Sequence, residues 1–355
     1  MEAFQHALLR EATLRLDPHH PHAQPISTLY VGGGTPSLLP ASFYAQLLAL
    51  VGQRFGWAAS PEVTLELNPL DVASTPQAYV EAGFNRFSVG VQSTHPTELK
   101  RLSRRHSAEQ ARALVCALAD AGASSISVDL MYGIPQQTPD SWQASLAEVL
   151  SWPVSHVSLY GLKVEEATPL ATLAPLGGQY ALPNDDDTVA LYEIAVEACK
   201  QAGLARYEIS NFAKAGHASQ HNLAMWQNKP YWALGPAAHG YLPPWRYENQ
   251  SNLASYLHAP LLATWQAEPQ HQRCENAFIF GLRTAQGVHL PTVQAEASPQ
   301  WCQALQQALP TLLTGEPALL CLEQDTLTLN PALLSMSNEV ITRLLLAVEQ
   351  HLEAV

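Results

Sequence analysis

Tyr30-Val31-Gly32-Gly33-Gly34-Thr35-Pro36 closes a short run of β-branched and apolar residues that begins at Ile26. Three consecutive glycines cost backbone entropy on folding, so they indicate a place where another group approaches the main chain or where φ is positive. Bare N–H and C=O groups at the carboxyl end of a strand can bind a small polar ligand, and α/β proteins place their ligands there. A tight turn without a ligand is the alternative interpretation.

Strand-like and helix-like segments alternate from these glycines onward. This alternation predicts a parallel sheet with crossover helices. No Gly-x-Gly-x-x-Gly follows a strand, which favours an α/β barrel or partial barrel over a dinucleotide-binding sheet. The predicted strands are 26–31, 62–67, 86–91, 125–130 and 156–160. The predicted helices are 2–16, 40–55, 76–82, 108–121 and 140–150.

Polar residues occupy the same place in each of the first four units, at the carboxyl end of the strand. Carboxylates on buried strands are costly unless they bind something. Each one alone could be a satisfied structural acid, but four strands that end alike favour a shared ligand site. The residues are Gly34 and Thr35, then Glu66 and Asn68, then Gln92 and Ser93, then Asp129 and Tyr132.

Five motifs taken together resemble one family, the radical SAM proteins related to oxygen-independent coproporphyrinogen III oxidase. The nearer resemblance is to the haem chaperone branch of that family. The likeness extends over residues 2–245 and is looser beyond them. The motifs are Gly-Gly-Gly-Thr-Pro at 32–36, Leu-Glu-Leu-Asn-Pro at 65–69, Gly-Val-Gln-Ser at 90–93, Leu-Ser-Arg-Arg-His at 102–106 and Asp-Leu-Met-Tyr-Gly-Ile-Pro at 129–135.

The resemblance implies a binding site for S-adenosylmethionine. Neutral donors and an acid suit the zwitterionic end of that molecule, and an arginine suits its carboxylate. From the residues alone, Arg104 reads as a surface cation beside Arg101 and Arg105. The implied cofactor-binding residues are Gly33, Gly34, Thr35, Glu66, Gln92, Arg104 and Asp129, with Asp129 on the ribose side.

A second motif implies haem. Gln220-His221-Asn222-Leu223-Ala224-Met225-Trp226 resembles the His-Asn-x-x-Tyr-Trp motif of the haem chaperones, with Met225 in place of the tyrosine. Imidazole is a usual axial ligand of haem iron, so His221 is the candidate haem ligand. Two alternatives remain open: His221 hydrogen-bonds within a packed loop, or it shares a metal with His217.

The family also carries a [4Fe–4S] cluster on a Cys-x-x-x-Cys-x-x-Cys motif, and this sequence has no such motif. Its five cysteines are scattered, and the closest two, Cys302 and Cys321, lie nineteen positions apart. We therefore expect no cluster ligands, no catalytic residue and no metal site in this chain. An exposed edge at the 26–31 strand would be unusual. This edge favours a missing N-terminal segment that carries the cysteines over a natural clusterless relative.

Composition excludes several classes of protein. The 355 residues carry 18 Lys and Arg against 31 Asp and Glu, a net charge of −13, without the basic stripe that nucleic acids require. No apolar run reaches the length of a membrane span, and the first residues read as an amphipathic helix, not as a signal peptide. We therefore expect a cytoplasmic protein. His19, His20 and His22 lie among prolines and read as a loop, although a metal site is the alternative.

Three segments are expected along the chain: a partial barrel of the (β/α)6 type without its first strand over 1–243, a linker over 244–255, and a C-terminal domain over 256–355. Helices near 274–283, 298–311 and 337–353 with a hairpin at 318–329 predict a small α+β winged-helix-like module.

The resemblance implies a haem chaperone that binds haem and S-adenosylmethionine and delivers haem to apoproteins, as a homodimer. Oxygen-independent coproporphyrinogen III oxidase is the enzymatic alternative, and it requires the cluster. A clusterless protein that binds only S-adenosylmethionine is the third. The His221-Asn222 pair favours the first.

Overall fold

The computed structural model describes residues 1–166 and 168–353 and divides them between two compact units. One unit, called here the sheet unit, comprises Pro25–Arg206 and Ser210–His221. The second unit comprises Met1–Gln24, Tyr207–Ile209 and the chain from Asn222 onward. No helix in the described part of the chain is long and apolar enough to cross a membrane.

Thirteen strands and fourteen α-helices lie in the described ranges. The strands are β1 Ile26–Val31, β2 Trp57–Leu67, β3 Arg86–Gln92, β4 Ser125–Tyr132, β5 His156–Gly161, β6 Ala205–Arg206, β7 Asn211–Ala213, β8 His239–Leu242, β9 Trp245–Asn249, β10 Ala263–Ala267, β11 Val288–His289, β12 Leu320–Glu323 and β13 Thr326–Leu329. The helices are α1 Glu2–Arg15, α2 Ala41–Phe55, α3 Pro76–Ala82, α4 Pro96–Arg101, α5 Ala108–Asp120, α6 Pro139–Leu150, α7 Pro169–Leu173, α8 Asp185–Gln201, α9 Gln220–Trp226, α10 Leu253–His258, α11 Gln270–Gly281, α12 Leu290–Glu296, α13 Pro299–Leu313 and α14 Ser337–Glu353.

The sheet unit is built on one seven-stranded sheet with the order β1-β2-β3-β4-β5-β7-β6. Strands β1 to β5 are parallel and follow one another in the chain, with helices in the connections. Strands β7 and β6 extend the sheet antiparallel at its far side. The sheet is curled into a partial barrel, which confirms the fold class predicted from the sequence.

The two faces of this sheet differ in polarity. A parallel sheet with helices on both faces is apolar throughout, whereas these strands alternate. One row across four neighbouring strands is apolar and nearly inaccessible: Leu67, Val89, Val128 and Val157. The adjacent row, one residue earlier on each strand, is polar: Glu66, Ser88, Ser127 and His156. The polar face is therefore available for ligands.

Short sequence signals start and stop the crossover helices. Ser107 forms a capping box with Gln110 at the start of α5, and Thr138 forms one with Ser141 at the start of α6. Gly83 ends α3 with a φ of 115°, a conformation that favours glycine. The strands are thus held in register by helices whose ends are specified locally.

The second unit contains two three-stranded sheets, β10-β9-β8 and β11-β13-β12. The latter packs with α11 to α14 around a core that includes Phe278, Leu305, Leu327 and Leu344, each inaccessible to solvent. Four helices and a hairpin around one core confirm the small winged-helix-like α+β module. The predicted hairpin corresponds to β12 and β13.

The stretch 244–255, expected to be a linker, is regular structure instead. It contains all of β9 and the start of α10. The many polar residues of this stretch suggested an exposed linker. Tyr247 and Asn249 within it are nonetheless both nearly fully buried. Pairing with β8 and β10 satisfies the backbone of this segment.

Candidate functional site

The glycine-rich turn after β1 surrounds a carboxylate. Glu66, near the end of β2, accepts the Gly33 N–H at Oε2 (3.0 Å) and the Tyr30 hydroxyl at Oε1 (2.8 Å). A Cβ on Gly32 would stand 2.7 Å from Glu66 Oε1, so a larger residue there would displace the Glu66 or Tyr30 side chain. Gly33 has a φ of 115°, which also favours glycine. Two of the three glycines are therefore explained by the approach of Glu66.

The next two residues of the turn keep their polar groups open. A Cβ on Gly34 would meet no atom within 4 Å. Thr35 precedes the 3-10 helix Pro36–Leu38 without a side-chain capping bond, and its hydroxyl contacts no hydrogen-bond partner in the described ranges. This side of the turn can bind a polar ligand through its main chain and the threonine hydroxyl.

Asp129 lies on the same polar face, toward the carboxyl end of β4. Its carboxylate accepts hydrogen bonds from the hydroxyls of Ser88 (3.0 Å) and Ser158. Burial raises the pKa of Asp129 to about 6, the hydrogen bonds from Ser158 and Ser88 oppose this rise, and the nearby charge of Glu66 adds to it. The two carboxylates therefore belong to one electrostatic environment, as the strand-end pattern predicts.

Gln92 turns back toward this environment from the end of β3. It has a φ of 68°, and the pairing of β3 with β4 is irregular between Gly90 and Gln92. The Gln92 side-chain nitrogen lies 3.0 Å from where a Cβ of Gly90 would stand. Because Gly90 pairs with Asp129, the buried amide of Gln92 lies beside the register position of that acid.

Three arginines follow in α4 and the loop after it, and they differ in their partners. Arg101 donates to the Pro135 carbonyl, and Arg105 forms an ion pair with Asp71 at 3.1 Å. The Arg104 side chain has no hydrogen bond or ion pair with any residue in the described ranges. The positive charge of Arg104 lies near His106. Burial lowers the pKa of His106, and the Arg104 charge lowers it further.

His106 places Arg104 relative to the sheet. The His106 ring nitrogen Nε2 lies 3.1 Å from the carbonyl oxygen of Val91, the residue before Gln92. Arg104 is thus near the carboxyl end of β3 with its guanidinium unpaired. Arg101 and Arg105 each bond a protein group, as surface cations with a structural role do. Arg104 differs from both because its guanidinium has no such partner in the described ranges.

The imidazole of His221 packs against β1. Its Nδ1 lies 3.1 Å from Thr28 Oγ1, and its ring stacks on Tyr30 with centroids 5.1 Å apart and planes at 27°. Thr28 and Tyr30 share one face of β1, as alternate residues of a strand do. Burial lowers the pKa of His221, and Glu62 opposes this effect. The ring is therefore fixed on two sides and neutral near pH 7.

Glu62 on β2 fixes the backbone of the same residue. Its carboxylate accepts the Ser219 hydroxyl at 3.1 Å and the N–H groups of Gln220 and His221 at 3.0 and 2.9 Å. Arg86 stands 4.0 Å from this carboxylate. The start of α9 is thus anchored to β2 by a carboxylate that has a nearby counter-charge.

Tyr30 joins the two groups of residues. Its hydroxyl contacts Glu66 and its ring contacts His221, so one side chain touches both the glycine-turn site and the histidine. Burial, followed by the Glu66 charge, raises the pKa of Tyr30 far above its usual range, so the hydroxyl stays a donor. Sequence reasoning assigned no role to Tyr30, Thr28 or Glu62, although all three occupy polar positions in the strand alternation.

The described residues do not fit a [4Fe–4S] cluster. Within the described ranges, no group of three or more His, Cys, Asp or Glu side chains could hold a metal ion. Burial raises the pKa of Cys199 to about 12 and also raises that of Cys274, the reverse of what a thiolate ligand needs. His19, His20 and His22, whose alternative interpretation was a metal site, form no such group within the described ranges.

Known proteins resemble this chain in sequence and in fold. Residues 8–149 match the sequence model of the radical SAM superfamily. The structure of coproporphyrinogen III oxidase (HemN) from Escherichia coli superposes with a TM-score of 0.80 at 18% identity, covering 97% of this chain and 82% of that chain. At this identity the likeness shows the fold alone. The fold and the sequence match together define a protein of the radical SAM superfamily.

The curated relatives are more specific. The heme chaperone HemW of Lactococcus lactis is 32% identical over 267 residues, which are 74% of this chain and 70% of the relative. The protein of the same name from Bacillus subtilis is 32% identical over 271 residues, 74% and 71% of the two chains. The one from Mycobacterium tuberculosis is 36% identical, over 70% of this chain but 63% of its own length. The chain belongs to the HemW family.

Proposed function

We propose that this protein is a haem chaperone that binds haem through His221 and S-adenosylmethionine at the glycine-rich turn, and delivers the haem to apoproteins. The observation that carries the proposal is the fixed, neutral imidazole of His221 on the polar face of the sheet. The names of the curated relatives support the same function.

The environment of His221 suits an axial ligand of haem iron. His221 Nε2 has no hydrogen bond to any residue in the described part of the chain. In the tautomer that the proposal requires, Nδ1 donates to Thr28 Oγ1 and Nε2 presents its lone pair. A second-sphere partner on the other ring nitrogen is the usual way in which proteins orient a coordinating histidine. The lowered pKa of His221 keeps protons from competing with iron.

The turn and its surroundings suit S-adenosylmethionine. The carboxylate of Glu66 offers an acceptor for an ammonium group, and the unpaired guanidinium of Arg104 offers a donor for a carboxylate. Gly34 and Thr35 leave main-chain and hydroxyl groups open beside them. Asp129 would bind the ribose hydroxyls, with Gln92 next to it. When bound, this molecule supplies a sulfonium and a nucleoside to the site.

No radical step is proposed for this chain. Cleavage of the sulfonium bond needs an electron from a [4Fe–4S] cluster, and the described residues do not fit that cluster. The coproporphyrinogen oxidase alternative depends on the same electron. The curated relatives are named heme chaperones, which favours binding and transfer of haem over oxidation.

A haem titration followed by absorbance tests the proposal. We expect a Soret band that saturates with one haem per chain and that is lost or moved in His221→Ala. The matched control is His258→Ala, because His258 is exposed at the end of α10. No Soret change in the wild type, or the same spectrum and affinity in His221→Ala, would contradict the proposal.

Delivery needs a separate measurement. The haem-loaded protein, mixed with an apo-globin or an apo-peroxidase as probe, should lose its own Soret band as the acceptor gains one. Unchanged spectra over hours with an acceptor that takes up free haem would argue against the chaperone role. A homodimer and a cytoplasmic location stay predictions.

A further inference from the structure

The two ends of Tyr30 lie in two different parts of the proposed site. Its hydroxyl donates to Glu66 Oε1 at 2.8 Å, and its ring stacks on His221 at a centroid distance of 5.1 Å. Tyr30 is also anchored by β1, whose Thr28 contacts the same imidazole two residues earlier. A change at either end therefore acts on the other through one rigid aromatic side chain.

Glu66 has little room to respond in another way. Its second oxygen accepts the Gly33 N–H at 3.0 Å, and a Cβ on Gly32 would stand 2.7 Å from its first oxygen. A cationic ammonium that binds this carboxylate adds a third donor to a group that already accepts two. The ligand thereby redistributes the hydrogen bonds of Glu66, and the Tyr30 hydroxyl bonded to the same carboxylate responds.

We infer that Tyr30 is a positioning residue that links the S-adenosylmethionine pocket to the haem ligand, so that each ligand tightens the binding of the other. This inference rests on the proposed function. The mechanism is a population shift: a ligand that binds Glu66 favours one arrangement of the Glu66, Tyr30 and His221 contacts, and the second ligand binds that same arrangement better. Linkage requires the effect to be reciprocal.

Two substitutions separate the parts of this link. Tyr30→Phe removes the hydroxyl bond to Glu66 and keeps the ring against His221. Tyr30→Leu removes both. Phe fits the space of Tyr, so the variant keeps the fold even though it loses one hydrogen bond.

The test measures haem affinity with and without saturating S-adenosylmethionine. In the wild type we expect haem to bind at least about fivefold more tightly when S-adenosylmethionine is present, the lower end of common coupling strengths. In Tyr30→Phe the two affinities should agree within about twofold, while each ligand still binds. The inference is overturned if S-adenosylmethionine leaves the haem affinity of the wild type unchanged or weakens it. It is also overturned if Tyr30→Phe shows the same affinity ratio as the wild type.

A second readout does not depend on haem. In protein labelled at histidine, the ring signals of His221, assigned with His221→Ala, should move when S-adenosylmethionine is added to the wild type and stay in place in Tyr30→Phe. If haem does not bind, the proposed function fails and these shifts still decide whether Tyr30 transmits the signal. Shifts of equal size in Tyr30→Phe, or no binding of S-adenosylmethionine, would overturn the link.

Discussion

The main-chain N–H of His221 donates to the carboxylate of Glu62 at 2.9 Å, although 159 residues separate the two in the chain. The same carboxylate accepts two further bonds from Ser219 and Gln220. This acid therefore sets the position from which the imidazole reaches β1.

Glu62→Ala should destabilise the protein by about 1–3 kcal/mol, because it leaves three donors without an acceptor and Arg86 without its counter-charge. Urea unfolding followed by circular dichroism measures the difference. Glu81→Ala is the control, since Glu81 is exposed on α3 and should change stability by less than about 0.5 kcal/mol. Equal stabilities of the two variants would show that Glu62 does not anchor α9.

Gly32→Ala and Gly34→Ala should differ in stability despite their proximity. The new methyl group at residue 32 would stand 2.7 Å from both Tyr30 and Glu66, and at residue 34 it would meet nothing within 4 Å. We expect Gly32→Ala to cost about 1–3 kcal/mol, the usual range for overpacking. Thermal unfolding checks this. The interpretation of the turn as a cradle for Glu66 is wrong if Gly34→Ala is the more damaging change.

Arg104→Ala should weaken the binding of S-adenosylmethionine by about tenfold or more, because a hydrogen bond to a charged group is worth about 1.5–3 kcal/mol. Arg105→Ala removes an equal charge from the adjacent residue, which is exposed and paired with Asp71. It should leave the affinity within about twofold. Isothermal titration calorimetry measures both. Identical losses would assign the effect to general charge and not to Arg104.

Asp129 should make stability depend on pH in a defined direction. Its pKa is raised from 3.8 to about 6, so the folded state holds this proton more tightly than the unfolded state. Asp129 therefore costs no stability below about pH 4, and the cost develops as the pH rises to about 6. At pH 7 we expect Asp129→Asn to be more stable than the wild type by at most about 3 kcal/mol.

Unfolding curves at pH 4 and pH 7 measure this difference. The gain in Asp129→Asn should vanish at pH 4. Asp120→Asn, which changes an exposed aspartate of α5, controls for the loss of one negative charge. A gain of the same size at both pH values would mean that the Asp129 carboxyl does not titrate abnormally.

Local patterns were enough to predict much of the sheet unit. The alternation of apolar runs with helices located β1 to β5, and the polar residues at their carboxyl ends pointed to Glu66 and Asp129, which the fold brings into one electrostatic environment. These signals lie within single strands and turns. Each signal can therefore be recognised without knowing which strands pair with one another.

The rest depends on contacts that no local pattern reveals. Thr28 and His221 meet across 193 residues, so the histidine motif gave no indication of which strand would receive it. Helix α4 went unpredicted although Pro96 at its first position is a usual start signal, because six residues are too few to show periodicity. Strands β6 and β7 have two and three residues, and only pairing defines them, of β7 with β5 and of β6 with β7.

The alternation of apolar and polar residues separates core packing from ligand binding along a single strand. On β3, Phe87 and Val89 face one side and pack the apolar core, while Arg86 and Ser88 face the polar side of the sheet. An insertion or deletion of one residue within β3 would exchange the two sets. Point substitutions on the polar face can therefore change the ligand-binding groups with little repacking of the apolar face.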